Sequence, residues 1–461
     1  METRQLKLNY KNTLIIGLAF FGILMLWQVY NTYCPIILEY LLKSHFGEEK
    51  DYFYVTGVIM ALDNLVALII MPLVGNISDR TKTKYGKRMP YILLGSIISA
   101  IIFPFIALTF VVNSLFGVIL TMCLILVVMQ AYRSPAVSLM PDLTPKPLRS
   151  SANGIINLVG YLGAIIAAGI GMVFSIADDA SREQAASIAI YPFIITAVVM
   201  LIVVVVLALK IDENKLLNEM QDDLKLGEEL SETIEIIEED KPLSKKDKTN
   251  MWILILSIFF WFMAFNSIET FNSLFCKDVL GTTKLHGTFT IILTFSSVFA
   301  FALLSPLSMK IGRKWTVVIG LILMISSLLV MSVFSFNLDP VFENNPVYII
   351  YICTIFLGIG WALINVNSYP MMVEMASGKN IGKFTGYYYG ASMLAQSITP
   401  ILVGIVMVNF NAGLKALYLY ACIFMIVALA TFIFIKENKE ARLKNKTLSK
   451  RKGFELLDND K

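Results

Sequence analysis

Apolar runs of bilayer-spanning length recur along this chain, each closed by a short polar stretch. Twelve such segments can be read, at 12–38, 52–76, 90–112, 115–140, 150–175, 187–210, 250–276, 286–309, 315–337, 346–370, 380–409 and 414–435. About 20 apolar residues cross the hydrocarbon core of a bilayer as a helix, so each segment predicts one spanning helix. The expected fold class is an all-α polytopic membrane protein of twelve transmembrane helices. The pattern changes once in the interior. Residues 211–248 carry thirteen acids against six bases, with few large apolar residues at helical spacing. That stretch predicts a solvated, partly helical linker. The expected organisation is a six-helix bundle at 1–210, an acidic cytoplasmic linker at 211–249, a second six-helix bundle at 250–435 and a basic tail at 436–461.

Composition agrees with this pattern. The 461 residues are 57% hydrophobic and 16% charged, with a mean hydropathy of +0.70. With both termini inside, the inner segments hold 31 of the 38 basic residues, as the positive-inside rule requires. The net charge of +4 therefore reads as membrane insertion, and no nucleic-acid partner is expected. The expected location is the plasma membrane, multi-pass, with both termini cytoplasmic. The first apolar segment is too long for a cleavable signal peptide and has no small-residue cleavage site. The five cysteines show neither paired nor metal-ligand spacing, and read as packing residues.

One stretch resists the apolar pattern. GNISDRTKTKYGKRMP, at 75–90, places six charges between Asp79 and Arg88, flanked by greasy segments. It is echoed in the second half: Pro72-Leu73 matches Pro306-Leu307 ahead of Gly312, Arg313 and Lys314, an offset of 234. Asp142 and Gly154 match Glu374 and Gly386 at an offset of 232. Two six-helix halves with nearly one offset are what a duplicated carrier shows. Both charged knots fall in cytoplasmic loops, where acid–base contacts between helix ends can close and part. The candidate cytoplasmic gate is Gly75, Asp79, Arg80, Gly86, Arg88, Asp142, Arg149, Arg313 and Glu374.

The run G-x-x-x-D-R followed by G-K-R resembles the loop 2–3 signature of the major facilitator superfamily. The spacer TKTKY, Pro90 and RSPAVSLMPDL at 133–143 are similar to the glycoside–pentoside–hexuronide:cation symporters, especially their sucrose-transporter-like branch. The resemblance implies uptake of a sugar, a disaccharide or glycoside, coupled to a cation. Sodium-coupled relatives carry acids at positions matching Ala67 and Met71, which are apolar here, so a proton is favoured. Melibiose-type relatives have a sugar-binding acid at the position of Arg133, and plant sucrose carriers have one where Leu126 stands. This chain has neither.

Charges at membrane depth are costly and usually functional. Away from helix ends the segments hold Asp63, Arg133 and Glu269, the candidate proton-coupling groups. Asp63 has no base in its own helix, and the expected mechanism pairs its ionised form with Arg133. Protonation would then free Arg133 for sugar hydroxyls. Neither histidine is placed for a relay. Gln130 shares a face with Arg133, and Asn266, Glu269 and Ser273 form one polar stripe. Sugar recognition needs a flat apolar face beside directional donors. The candidate substrate-binding residues are Tyr30, Asn31, Gln130, Arg133, Asn266, Glu269, Asn365 and Gln396, with Trp27, Trp361, Asn367, Tyr389 and Ser392 as weaker contributors.

No phosphate-binding loop, metal-ligand cluster or large extramembrane domain stands in the sequence. No enzyme activity, cofactor or metal is therefore expected. The expected partners are a sugar, a coupling proton and the lipid bilayer. The alternative is an exporter, or a carrier of lipid or another small solute, on the same fold. The sequence leaves the oligomeric state open and is compatible with a monomer.

Overall fold

The computed structural model describes residues 6–47, 52–236, 245–304, 307–337, 347–375, 381–409 and 412–435. The N-terminal half contributes α1 (Tyr10–Phe46), α2 (Phe53–Arg80), α3 (Met89–Val111), α4 (Leu115–Asp142), α5 (Arg149–Val173) and α6 (Arg182–Lys210). Two polar helices follow, α7 (Glu213–Glu219) and α8 (Gln221–Ile236). The C-terminal half holds α9 (Lys245–Asp278), α10 (Lys284–Leu304), α11 (Leu307–Ile311), α12 (Arg313–Phe336), α13 (Val347–Glu374), α14 (Ile381–Asn409) and α15 (Leu417–Phe432). Twelve of these are long and apolar enough to cross a membrane, all except α7, α8 and α11. The expected all-α, twelve-span fold class is therefore met, and no strand occurs among the described residues.

Some boundaries differ from the expected ones. Helix α1 runs on to Phe46, past the expected end at 38, and brings Glu39 and Lys43 into its last turns. The linker is more helical than its acidity implies, with α7 and α8 covering most of 213–236. Its remainder at 237–244 and the expected basic tail at 436–461 lie outside the described residues.

Local chemistry sets the ends. Asn9 and Ser114 accept from backbone N–H groups and cap α1 and α4, and Ser181 forms a full capping box with Gln184 at the start of α6. Pro90 opens α3, where its missing N–H costs nothing. Prolines stand inside α1, α2, α3, α4 and α6, which membrane helices tolerate where neighbours or local adjustment re-satisfy the freed carbonyls.

The chain divides into two compact units. One comprises 1–237 with 266–294 and 396–417, and the other comprises 238–265, 295–395 and 418–461. In the first unit α1 packs on α5 and α6, and α3 on α4 and α6. Phe103 and Phe193 fill the α3–α6 seam with ring centroids 4.6 Å apart. In the second unit α12 packs along α13.

We call the end bearing the α2–α3 and α4–α5 loops the inner end, following the charge pattern. At the opposite end of the first unit α2 and α14 cross almost backbone to backbone. A Cβ on Gly57 would lie 2.0 Å from the Pro400 carbonyl oxygen, and one on Gly404 would lie 2.6 Å from that of Phe53. Small residues are what permits such approach between membrane helices. Gly57→Val should therefore lower the melting temperature of the purified protein, by overpacking of about 1–3 kcal/mol. An exposed change such as Ile69→Val should leave it unmoved.

Candidate functional site

The inner cluster is organised by Arg88, which stands between α2 and α3 with its side chain 5% exposed. Its Nε donates to Asp142 Oδ2 at 2.8 Å, Nη1 donates to Ser78 Oγ, and Nη2 pairs with Asp79 Oδ1. Lys87 Nζ adds a second cation to Asp142 at 3.0 Å. Burial works against the Arg88 charge, but the Asp142 and Asp79 contacts outweigh it and hold the guanidinium above its usual pKa. One arginine thus ties the end of α4 to the end of α2. The other gate candidates are less engaged. Gly75 is half-buried, Arg80 is exposed, and Arg149 Nε donates to the Thr144 carbonyl at 3.1 Å. Arg313 opens α12, and Glu374 ends α13 with its side chain outside the described residues.

The membrane core of the first unit holds the three charges that the sequence singles out. Asp63 is buried in α2, and its Oδ1 accepts from Gln130 Nε2 at 3.0 Å. Gln130 Oε1 and the Tyr30 hydroxyl are both buried without a hydrogen-bond partner. Arg133 is not in ion-pair contact with Asp63, contrary to the expected pairing. Its guanidinium lies over the Trp27 ring, 5.4 Å from the centroid, as a cation–π contact. It stands within electrostatic reach of both Asp63 and Glu269. The amide of Gln130 takes the place on Asp63 that the guanidinium was expected to fill.

Glu269 is exposed although it lies within the spanning part of α9. Its Oε1 accepts from Asn31 Nδ2 at 3.4 Å, and Ser273 Oγ donates to the Asn31 carbonyl at 3.4 Å. The Glu269–Ser273 stripe therefore faces α1. Asn266 is buried one turn earlier, and its carbonyl accepts from Thr270 Oγ1 at 2.9 Å. Gln396 lies half-buried in α14.

In the second unit Asn365 donates its amide to the Trp361 carbonyl at 2.9 Å, within its own helix. Trp361 stacks flat on Phe265, with centroids 3.7 Å and planes 5° apart, so one ring face serves packing. Asn367 is buried and bonded to the Leu363 carbonyl.

Three groups of residues escaped sequence reasoning. Lys277 lies in the last turn of α9. It is buried and paired with Glu39 at 3.1 Å and with Asp278, while Lys43 holds the other Glu39 oxygen at 2.6 Å. Its ammonium also lies over the Tyr40 ring at 4.8 Å. His286 is buried, accepts from Asn272 Nδ2 at 3.0 Å on Nδ1, and meets the Gln28 amide at 3.4 Å. Glu213, inside the expected solvated linker, is buried. The spacing of Glu39 and Lys43, four residues apart near a helix end, was the one signal available. The rest depend on partners far away in the chain.

The sequence model of the MFS/sugar transport protein family matches residues 15–410. The chain belongs to that family. Within it, a stretch of 85 residues is 34% identical to the lactose permease of Lactobacillus helveticus, covering 18% of this chain and 12% of that protein. The fold is similar to that of a bacterial homologue of the human lysosomal transporter Spinster, at a TM-score of 0.65 and 14% identity, over 93% of this chain and 97% of that one. A D-xylose–proton symporter is similar at 0.63 and 13%, over 93% and 99%. These likenesses establish a major facilitator fold. Family and fold are those of transporters, and nothing points to catalysis. Among the described residues no His, Cys, Asp or Glu group is arranged to hold a metal ion.

For this family member the inner cluster makes an ordered prediction. Arg88→Ala leaves Asp142 facing only Lys87 and should cost about 2–4 kcal/mol. Asp79 is 55% exposed, so Asp79→Ala should cost less than about 1 kcal/mol. Thermal melts of the two variants in one detergent check the order.

Proposed function

We propose that this chain is a sugar:proton symporter of the plasma membrane that works by alternating access. The observation that carries the reading is Asp63, a buried carboxylate at membrane depth whose bonded partner is the neutral amide of Gln130. A carboxylate locked to a cation stays ionised. One held by an amide can take up a proton without leaving a bare positive charge behind. Arg133 is near enough to sense which form is present.

The sugar site we assign lies beside it. Trp27 offers an apolar ring, Asn31 and Arg133 offer donors, and the exposed Glu269 offers two acceptor oxygens. Behind that surface the unpartnered Tyr30 hydroxyl and Gln130 carbonyl keep spare hydrogen-bond capacity, closed off from solvent. Ionised Asp63 draws the field of Arg133 toward itself. Protonation releases that hold, and the guanidinium then serves the sugar together with Glu269. The moving parts we assign are residues 1–210 and 250–435, with Arg88 and its carboxylates, all within the first part, holding the ends of α2, α3 and α4 that form its side of the inner gate. Family membership supports a carrier, and the partial likeness to a lactose permease supports a sugar.

The orientation is tested by cysteine labelling on a background without the native cysteines. Cysteines introduced at 45 and 180 should react with an impermeant reagent in intact cells, and one at 230 only after lysis. Labelling of 230 from outside would overturn it.

The coupling is tested in proteoliposomes against a panel of mono- and disaccharides. Because sugar binds better to the protonated form, affinity should rise as pH falls through the Asp63 titration, and sugar should favour proton uptake by linkage. Asp63→Asn should bind sugar with little pH dependence. It should exchange sugar across the membrane yet fail to accumulate it. Accumulation by Asp63→Asn under a proton gradient would place the coupling elsewhere.

A further inference from the structure

The linker begins where α6 ends, and the first residue of α7 is bound into the inner loop. Glu213 is 0% exposed. Its carboxylate accepts three consecutive backbone N–H groups, from Lys87 at 3.0 Å and from Arg88 and Met89 at 2.9 Å each. These amides open α3, where a helix leaves N–H groups unbonded and carries partial positive charge. The cap residue Arg88 makes no side-chain capping bond of its own. Glu213 supplies the cap from 124 to 126 residues away.

The loop is shaped around this carboxylate. Gly86 has φ +102°, and a Cβ there would lie 2.2 Å from Glu213 Oε2. Asn214 donates to the carbonyls of Thr83 and Lys84 at 3.1 and 3.0 Å. Two adjacent linker residues thus hold the donors and the acceptors of one loop. Arg88 belongs to both systems: its backbone N–H is given to Glu213, and its side chain to Ser78, Asp79 and Asp142. Helix α8 also packs on the turn at Lys146–Leu148, just beyond Asp142.

We propose that Glu213 is a positioning residue of the inner gate: it fixes the backbone at Arg88 so that one guanidinium reaches both carboxylates, and it couples the linker to that contact. The proposal rests on the reading of this chain as an alternating-access carrier. The linker then sets the gate rather than merely joining two bundles.

The test uses the full chain in lipid nanodiscs. Hydrogen exchange should show the amides of Lys87, Arg88 and Met89 about tenfold or more faster in Glu213→Ala, since charge-assisted bonds are lost. Glu213→Gln keeps one acceptor oxygen and should fall between. In transport assays Glu213→Ala should lower the maximal rate severalfold with little change in half-saturation. In an Arg88→Ala background it should add nothing further to the loss of rate, although it still lowers the melting temperature, because Arg88→Ala keeps the three backbone N–H groups that Glu213 holds. Unchanged exchange at 87–89, or fully additive losses of rate with Arg88→Ala, would overturn the proposal. If the wild-type protein moves no sugar, the symport reading fails, while the exchange measurement still decides this one.

Discussion

A charge at the centre of a bilayer costs about 2.5–3.5 kcal/mol even on the mildest scale, and that cost governs what each charged group here can be. Glu39 and Lys277 answer it with each other. Arg133 answers it with the face of Trp27, Glu269 with exposure and the Asn31 amide, and Asp63 with the Gln130 amide. The kind of answer separates roles. An ion pair fixes both members in the charged state and resists separation. An amide leaves its carboxylate free to change charge.

The two ends of the first unit illustrate the first kind. At the inner end Arg88 serves Asp79, Asp142 and Ser78. At the outer end Lys277 serves Glu39 and Asp278. The outer loops are joined as well, since Ile176 and Thr283 exchange hydrogen bonds. On the proposed reading, the outer set joins 1–210 to 250–435 and must break in a transport cycle, while the inner set shapes one side of the gate. Contacts of that sort are costly to lose half of and tolerable to lose whole into water, which favours two discrete arrangements over a continuum.

The fold was legible in the sequence because spanning helices carry their own signal. Twelve apolar runs became twelve helices, and the positions of Asp63, Arg133 and Glu269 inside them followed from counting. Pairing was not legible. Periodicity put Gln130 on the face of Arg133, but only the packing of α2 against α4 brings it to Asp63. Two opposite charges on neighbouring helices invite the inference of an ion pair. Trp27, on a third helix, instead provides Arg133 with a partner. Glu213 was hidden by its company: among thirteen acids of a polar stretch, nothing local marks the one that turns inward. Its partners are backbone amides, which have no sequence signature.

The contrast between Asp63 and Glu269 bears on how one site could handle two ligands. Asp63 is closed off from solvent, while Glu269 is exposed within a spanning helix. A proton is small enough to reach a buried oxygen through side-chain rotation and transient water. A sugar is not, and needs a group that already faces open space. Arg133 lies within reach of both carboxylates and is bonded tightly to neither, held over an aromatic face that tolerates sliding. A guanidinium clamped by a bidentate carboxylate could not redistribute between them. Its loose seat on Trp27 is what would allow a change of charge at the buried acid to be felt at the exposed one.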